Sequence, residues 1–425
     1  MGTLIEIGSF IKLQRQKQEM TQGDLAKGIV SLSYLSKIEN KKTEASREII
    51  QLICTRLGIQ LDNELDTTIQ EKCKQWYSML FEVHDKEQII TTYREVQGLM
   101  DTNLTNNLLM FEIHKIRYYL VLGKFDNALD KINELKDVSN TFDNLHQFYW
   151  YKFRGNYSSL NGDFNEAMRL YKIAEDKISQ IELEDKEIAD LQYIIAVTHS
   201  KLRNTLESID YAEKALDIYM KEYNFMRCAQ SHIVLGISYR RIKMYEKAIK
   251  NYNLARHLGE LNNDKQVIQL TNLNLGYLYS AKGNKKDAIH YYLEVADDLD
   301  VEMNARLTAV TALIKDYYSI NNFDETKQMI DKGFELIDMD NSSEAYKSHY
   351  YVLNTFSFAI NQEKSKFESI VIDEFIPYLK KHKDHANLVI YANMLGVHFE
   401  ELNRYKESVK YYKLANLTYE ELINI

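Results

Sequence analysis

The chain is patterned for helices almost throughout. Long runs set Leu, Ile and Ala three and four residues apart with Lys and Glu between them, the spacing of amphipathic helices. The first such segment, residues 4–19, puts Ile7, Phe10, Ile11 and Leu13 inward and Lys12, Arg15 and Lys17 outward. Two short helices follow in Met20–Asn40, MTQGDLAKGIVSLSYLSKIEN. Thr21-Gln22 opens the first, which carries Leu25 and Ala26, and a turn runs through Gly28 to Ser31. The second sets Leu35 and Ile38 on one face and Ser33, Tyr34, Ser36, Lys37 and Asn40 on the other. Two short helices locked by apolar residues, the second with a polar and non-acidic outer face, predict a helix-turn-helix. Thr43–Ser46 reads as a polar turn, and Arg47–Leu57 as a further amphipathic helix stopped by Gly58. The resulting bundle of four or five helices is expected to bury Leu25, Leu35, Ile38, Ile49 and Leu52. The acidic stretch Leu61–Thr68, LDNELDTT, marks the domain boundary and leads into a helix with Trp76, Leu80 and Phe81.

From about residue 100 a unit repeats. A helix with a small residue near its middle is followed by a turn of the type Gly/Asn-x-Phe/Tyr, then by a second helix running to Tyr. Copies include GKFDNALDKI, GDFNEAMRLY, KMYEKAIKNY, GNKKDAIHYY and NRYKESVKYY. Their small-residue anchors are Ala128, Ala167, Ser208, Ala248, Ala288, Thr326, Ser369 and Ser408, a near-constant period with one longer step between Thr326 and Ser369. LGISY at Leu235–Tyr239 and LGYLY at Leu275–Tyr279 resemble tetratricopeptide repeats, though the period is longer. A helical pair cannot bury its apolar face alone, so the pairs must stack. A degenerate ninth pair is placed at 66–100, and the last helix, Tyr411–Ile425, is expected to cap the array. The expected fold is all-α: a helix-turn-helix bundle followed by a tetratricopeptide-like right-handed superhelix of eight or nine helical hairpins. The expected domains are 1–62 (helix-turn-helix), 63–100 (linker and degenerate hairpin) and 101–425 (tetratricopeptide-like repeats).

Composition supports this and adds a charge asymmetry. One proline and 15 glycines in 425 residues leave little to break helices. Residues 1–60 hold nine Lys/Arg against six Asp/Glu, a net of +3, so the rest of the chain carries −12 to give the total of −9. A basic head on an acidic body fits a small nucleic-acid module joined to something that does not bind nucleic acid. Cys54, Cys73 and Cys228 are too scattered for a disulfide framework or a zinc site, and Cys54 and Cys228 read as core thiols. No run of about 20 apolar residues is present, so no membrane span is expected, and the chain reads as cytoplasmic.

Nothing in the chain suggests catalysis. There is no phosphate-binding Gly-rich loop, GxSxG or HExxH motif. His382 and His385, in KKHKDH, read as solvated surface rather than a metal pair. No enzyme, metal site or cofactor is expected.

Two binding surfaces are. In the head, the start of the first motif helix suits Gln22 for a phosphate, and the second helix offers Ser33, Tyr34 and Lys37, with Ser36 nearby, to base edges. Asn40, Lys41 and Lys42 lie where a phosphate would be gripped. Glu39 reads as structural, because a carboxylate facing DNA is repelled. In the repeats, counting back from each anchor places Arg117, Lys152, Asn156, Asn274, Tyr277, Lys315, Asn354 and Asn393 on the concave face. An asparagine amide can donate to one peptide carbonyl and accept from one N–H, and Arg117 or Lys315 can take a carboxylate. Each has a second reading, a hydrogen bond to a neighbouring helix.

With these features in place, the whole chain resembles the peptide-pheromone receptors of Gram-positive bacteria, the Rap/Rgg/NprR/PlcR/PrgX group, and is most like the NprR type. TQGDLAKGIVSLSYLSKIEN carries the head's resemblance, and the long tetratricopeptide-like repeats carry the body's. The resemblance implies a homodimeric or tetrameric transcription factor that binds double-stranded DNA. It also implies a short imported signalling peptide in the groove, repositioning the heads for quorum sensing and sporulation. The group's groove Asn two residues before the helix glycine maps onto Asn274, before Gly276. The repeats at 190–215 and 345–380 depart from the pattern in lacking that glycine. The alternative it implies is a Rap-like protein that inhibits or dephosphorylates a response regulator of the sporulation phosphorelay.

Overall fold

In a computed structural model, residues 7–40, 42–59, 65–81, 85–102, 105, 107–338 and 346–424 are described, and they are helical with no strand. The head holds α1 (Ile7–Lys17), α2 (Gln22–Ala26), α3 (Leu32–Glu39) and α4 (Arg47–Arg56). Caps fix where its helices begin. Thr21 and Asp24 form a capping box, each side chain accepting from the other's backbone N–H (3.2 and 3.0 Å). Ser31 caps α3 through Tyr34 N (3.2 Å), and Ser46 caps α4 through Ile49 N (3.4 Å). Between α2 and α3, Gly28 takes φ +74°, a value that favours glycine. Phe10, Ile11, Leu13, Leu25, Leu35, Ile38, Ile50, Ile53, Cys54 and Leu57 are buried. The expected inward pair on α4 is therefore corrected: the helix buries Ile50, Ile53, Cys54 and Leu57, while Ile49 is half-buried and Leu52 is 54% exposed. The sequence pattern allowed either phase, and the inward stripe starts one residue later than expected.

The chain divides into two compact units, 1–198 and 199–425. Unit 1 continues from the head into a hairpin of α5 (Leu65–Phe81) and α6 (Lys86–Thr102), in the place of the degenerate ninth pair. Trp76, fully buried, centres it, with the Tyr77, Tyr93, Phe111 and Tyr118 rings 5.1–5.7 Å away. The pairs α7 (Leu108–Val121) with α8 (Phe125–Lys136) and α9 (Asn144–Leu160) with α10 (Phe164–Glu175) follow, then α11 (Asp185–Lys201).

Unit 2 takes α12 (Thr205–Lys221), α13 (Phe225–Arg241), α14 (Tyr245–Leu261), α15 (Lys265–Ala281), α16 (Lys285–Ala296), α17 (Met303–Ser319) and α18 (Phe323–Asp338). It ends with α19 (Lys347–Ile360), α20 (Lys364–Ser369), a π-helical turn at Ile370–Phe375, α21 (Ile376–Lys381), α22 (His385–Glu401) and α23 (Tyr405–Asn424). The expected separate cap at Tyr411–Ile425 is instead the second half of α23.

One turn design generates the repeat. A residue in the left-handed region ends the first helix, at φ +73° to +81° for Gly123, Gly162 and Gly283 and +57° to +64° for Arg203, Lys243, Asn321, Gln362 and Asn403. The fourth residue of the next helix is then the buried anchor: Ala128, Ala167, Ser208, Ala248, Ala288, Thr326 and Ser408 are 0–3% exposed. The expected anchor Ser369 is corrected. It is exposed, and Phe367, the fourth residue of α20, fills the position at 3% exposure. The mis-set anchor explains the one long step in the period, from Thr326 to Ser369. The central glycines each have a packing partner on the helix that follows. A Cβ on Gly155, Gly236, Gly276 or Gly396 would lie 2.4–2.6 Å from the ring of Tyr171, Tyr252, Tyr292 or Tyr412.

Candidate nucleic-acid interface and repeat face

The head's two motif helices are held by one carboxylate. Glu39, fully buried at the end of α3, takes Arg15 Nε (2.7 Å) and Nη2 (3.0 Å) as a bidentate pair, and Gln22 Nε2 at 2.7 Å. Arg15 Nη1 also donates to Met20 O at 2.8 Å. α1, the start of α2 and the end of α3 are thus tied together at Glu39. This bears out Glu39 as structural and corrects Arg15, which faces inward because the buried carboxylate needs a counter-charge. Gln22 lies half-buried with its amide donating inward. Gly8 lets α1 approach α3 closely; a Cβ there would stand 2.0 Å from Ile38 O.

With the interior so fixed, α3 presents Ser33 and Lys37 to solvent, both exposed. Ser36 and Asn40 are half-buried, and Asn40 Nδ2 donates to Ser36 O at 2.7 Å. Tyr34 is half-buried and its hydroxyl donates to Glu44 O at 3.1 Å, anchoring the loop before α4. Lys41 lies outside the described residues.

The head meets the first repeat of unit 1 through a buried charge cluster. Glu112 on α7 is fully buried and carries Lys17 of α1 (2.5 Å), Lys115 (3.0 Å) and Lys131 of α8 (2.8 Å). Burial alone would raise its pKa, but the three ammonium groups, Lys17 foremost, hold its carboxyl well below the usual range. Lys12 Nζ adds a bond to Asp137 O at 3.0 Å.

In unit 1, Lys152 is fully buried and ion-paired with Asp190 at 2.9 Å, and Asn156, 5% exposed, accepts from the Tyr171 hydroxyl at 2.9 Å. Both are corrected from groove residues to interior ones, since their polar ends are spent on neighbouring helices. Arg117 is half-buried, its Nε donating to Leu80 O at 3.3 Å. In unit 2, Asn274 Nδ2 donates to Leu270 O (2.8 Å) and Asn354 Nδ2 to Tyr350 O (2.9 Å), each one turn back in its own helix. Tyr277 and Asn393 are exposed. Lys315 donates to Asn387 Oδ1 at 3.1 Å and sits 5.5 Å from the centre of the Tyr391 ring. No group of side chains suited to a metal ion occurs among the described residues, and none of their helices is long and apolar enough to cross a membrane.

Comparison with known proteins places this architecture. The chain is 31% identical over 413 residues to the transcriptional activator NprA of Geobacillus stearothermophilus, covering 94% of this chain and 100% of that protein. The chain belongs to the NprA family of transcriptional regulators. A helix-turn-helix family profile matches residues 11–63 and a soluble NSF attachment protein profile residues 151–321. The response regulator aspartate phosphatase I of Bacillus subtilis (strain 168) is 21% identical, over 82% of this chain and 89% of its own length. The fold is also that of the quorum sensor NprR. The apo form from B. thuringiensis has a TM-score of 0.71 at 20% identity, covering 83% of this chain and 99% of that one. NprR in complex with its cognate peptide NprX has a TM-score of 0.61 at 23% identity, covering 84% and 99%.

Within this family architecture, sequence reasoning missed Leu32, the first residue of α3, which is 56% exposed beside Ser33. Its place straight after the Ser31 cap was the available signal. It also missed Asn387, Tyr391 and His349 around Lys315. They come from α22 and α19 whereas Lys315 is on α17, and no local pattern links them.

Proposed function

We propose that this protein regulates transcription by binding duplex DNA through α2–α3, and that a short peptide held by the repeats of unit 2 controls that binding. The observation that carries the DNA reading is the exposed edge of α3, with Leu32, Ser33 and Lys37 outward on a helix locked from behind by Glu39. A hydroxyl and a cation on a helix of this kind suit base edges in a major groove, and an apolar residue suits a thymine methyl. The net +3 of residues 1–60 supplies the phosphate attraction. Ser33, Tyr34, Ser36, Lys37, Asn40 and Lys41 remain our DNA-facing set, Tyr34 through the loop it anchors. Gln22 acts from behind.

The peptide reading draws on the likeness to NprR, solved with a cognate peptide, and on Tyr277, Lys315, Asn354 and Asn393; Asn274, which is buried, stays in the proposed set. We take 1–62 as the DNA-binding region and 101–425 as the sensing and dimerising region, working in the cytoplasm as a homodimer or tetramer. Selection of duplexes from a random DNA pool tests the core of this. The full-length protein should enrich one sequence, and Ser33→Ala with Lys37→Ala should lose it; equal enrichment by the variant removes α3 as the reading helix. A second role, binding a response regulator, is favoured by the similarity to aspartate phosphatase I. It predicts that the same double variant abolishes only part of the cellular output.

A further inference from the structure

Resting on the peptide reading above, we propose that Lys315 is the carboxylate-binding point of unit 2, and that the peptide it serves presents an acidic group among α17, α19 and α22.

The three most buried lysines elsewhere, Lys115, Lys131 and Lys152, each hold a carboxylate. Lys315 is half-buried with no carboxylate at ion-pair distance among the described residues. It makes one bond to a neutral amide oxygen, Asn387 Oδ1, and faces the Tyr391 ring. Its sequence neighbour Asp316 takes Lys285 and Ser280 on Oδ1 and, though it acts on Lys315 electrostatically, makes no ion pair with it. A desolvated ammonium without a counter-ion is costly, and an arriving carboxylate removes that cost. The Tyr391 ring beside it is fully buried, and its hydroxyl, like those of Tyr77 and Tyr252, has no hydrogen-bond partner among the described residues.

The surroundings define the rest of the ligand. Tyr277, Lys315 and Val397 each stand six residues before the turn residue of their hairpin (Gly283, Asn321 and Asn403), so they share one register position on α15, α17 and α22. Tyr277 is 37% and Val397 48% exposed, and Leu270 and Ile390, two turns before them, are 47% and 45% exposed. One cation flanked by exposed apolar side chains suits a peptide with apolar residues and one acid.

The groups facing Lys315 set its pH response. Burial lowers its pKa to about 8, against the pull of Asp384 and Asp316. His349 on α19 is lowered to about 4, first by burial and then by Lys315, and so is neutral near pH 7. Tyr391, raised by burial, is neutral as well. A bound carboxylate needs the ammonium form, so affinity should weaken as pH rises above about 8.

The test immobilises the full-length protein and offers four pools of short random peptides: with or without Asp and Glu, each with a free or amidated C-terminus. Peptides should be retained from the free-ended pool with Asp and Glu, and about tenfold less from the amidated, acid-free pool. Retention from the free-ended pool without Asp and Glu assigns the site to the C-terminal carboxylate, and its loss assigns it to a side chain. Lys315→Met, of similar length, should lower retention about tenfold while raising thermal stability, and Lys315→Arg should keep it. Equal retention by Lys315→Met and the wild type overturns the proposal and leaves the peptide reading standing. If the wild type retains no peptide from any pool, the peptide reading fails and this proposal with it.

Discussion

Glu39 shows how much of the head rests on one side chain. Its carboxylate is buried and bound by three donors from two other segments. Replacing it with Ala leaves the Arg15 guanidinium, 12% exposed, without its carboxylate, so Glu39→Ala should destabilise the head by about 3–5 kcal/mol in denaturant unfolding. Two glycines allow an opposite pair of predictions. A methyl at Gly276 would meet the Tyr292 ring at 2.4 Å, so Gly276→Ala should cost about 1–3 kcal/mol. At Gly98, on the exposed face of α6, a Cβ meets nothing within 4 Å, and Gly98→Ala should gain about 0.5–1 kcal/mol from helix propensity. Chemical denaturation of both variants checks the contrast. At this scale the sequence was readable where a side chain's role is local. Leu25, Leu35, Ile38 and the Ser33–Lys37 edge follow from periodicity alone. Arg15 did not, because a long cationic side chain looks solvent-bound until its partner at the far end of α3 is known.

At the scale of elements, the repeat was legible because one turn and one buried anchor recur. It failed at Ser369, where the anchor position is filled by Phe367 and the helix then widens into a π turn at Ile370–Phe375. A rule written for small residues could not find a large one doing the same job. The groove positions fared unevenly for a related reason. Counting back from an anchor gives a position along a helix, but small errors of phase decide whether Lys152 reaches solvent or Asp190. The junction of α1 with α7 carries its own prediction. Glu112 titrates below its unfolded value of about 4.3, so the stability it contributes is full above that pH and is lost progressively as pH falls from there toward its lower folded value. Unfolding measured between about pH 3 and pH 7 should therefore show unit 1 weakening on the acid side, and Glu112→Gln should flatten that slope.

At the scale of the molecule, the proposed function gives one chain two binding roles, a basic head that would read DNA and an acidic set of repeats that would take a peptide. Coupling between them is reciprocal: if peptide changes DNA affinity, DNA changes peptide affinity by the same factor. A tenfold effect needs only about 1.4 kcal/mol of difference in how peptide binds the DNA-bound and free forms. The most direct measurement is the affinity of the full-length protein for its selected duplex, by fluorescence anisotropy, with and without a saturating amount of the peptide it retains. The account predicts a shift of at least about tenfold, abolished in Lys315→Met while that variant still binds the duplex. The same affinity with and without bound peptide would contradict it.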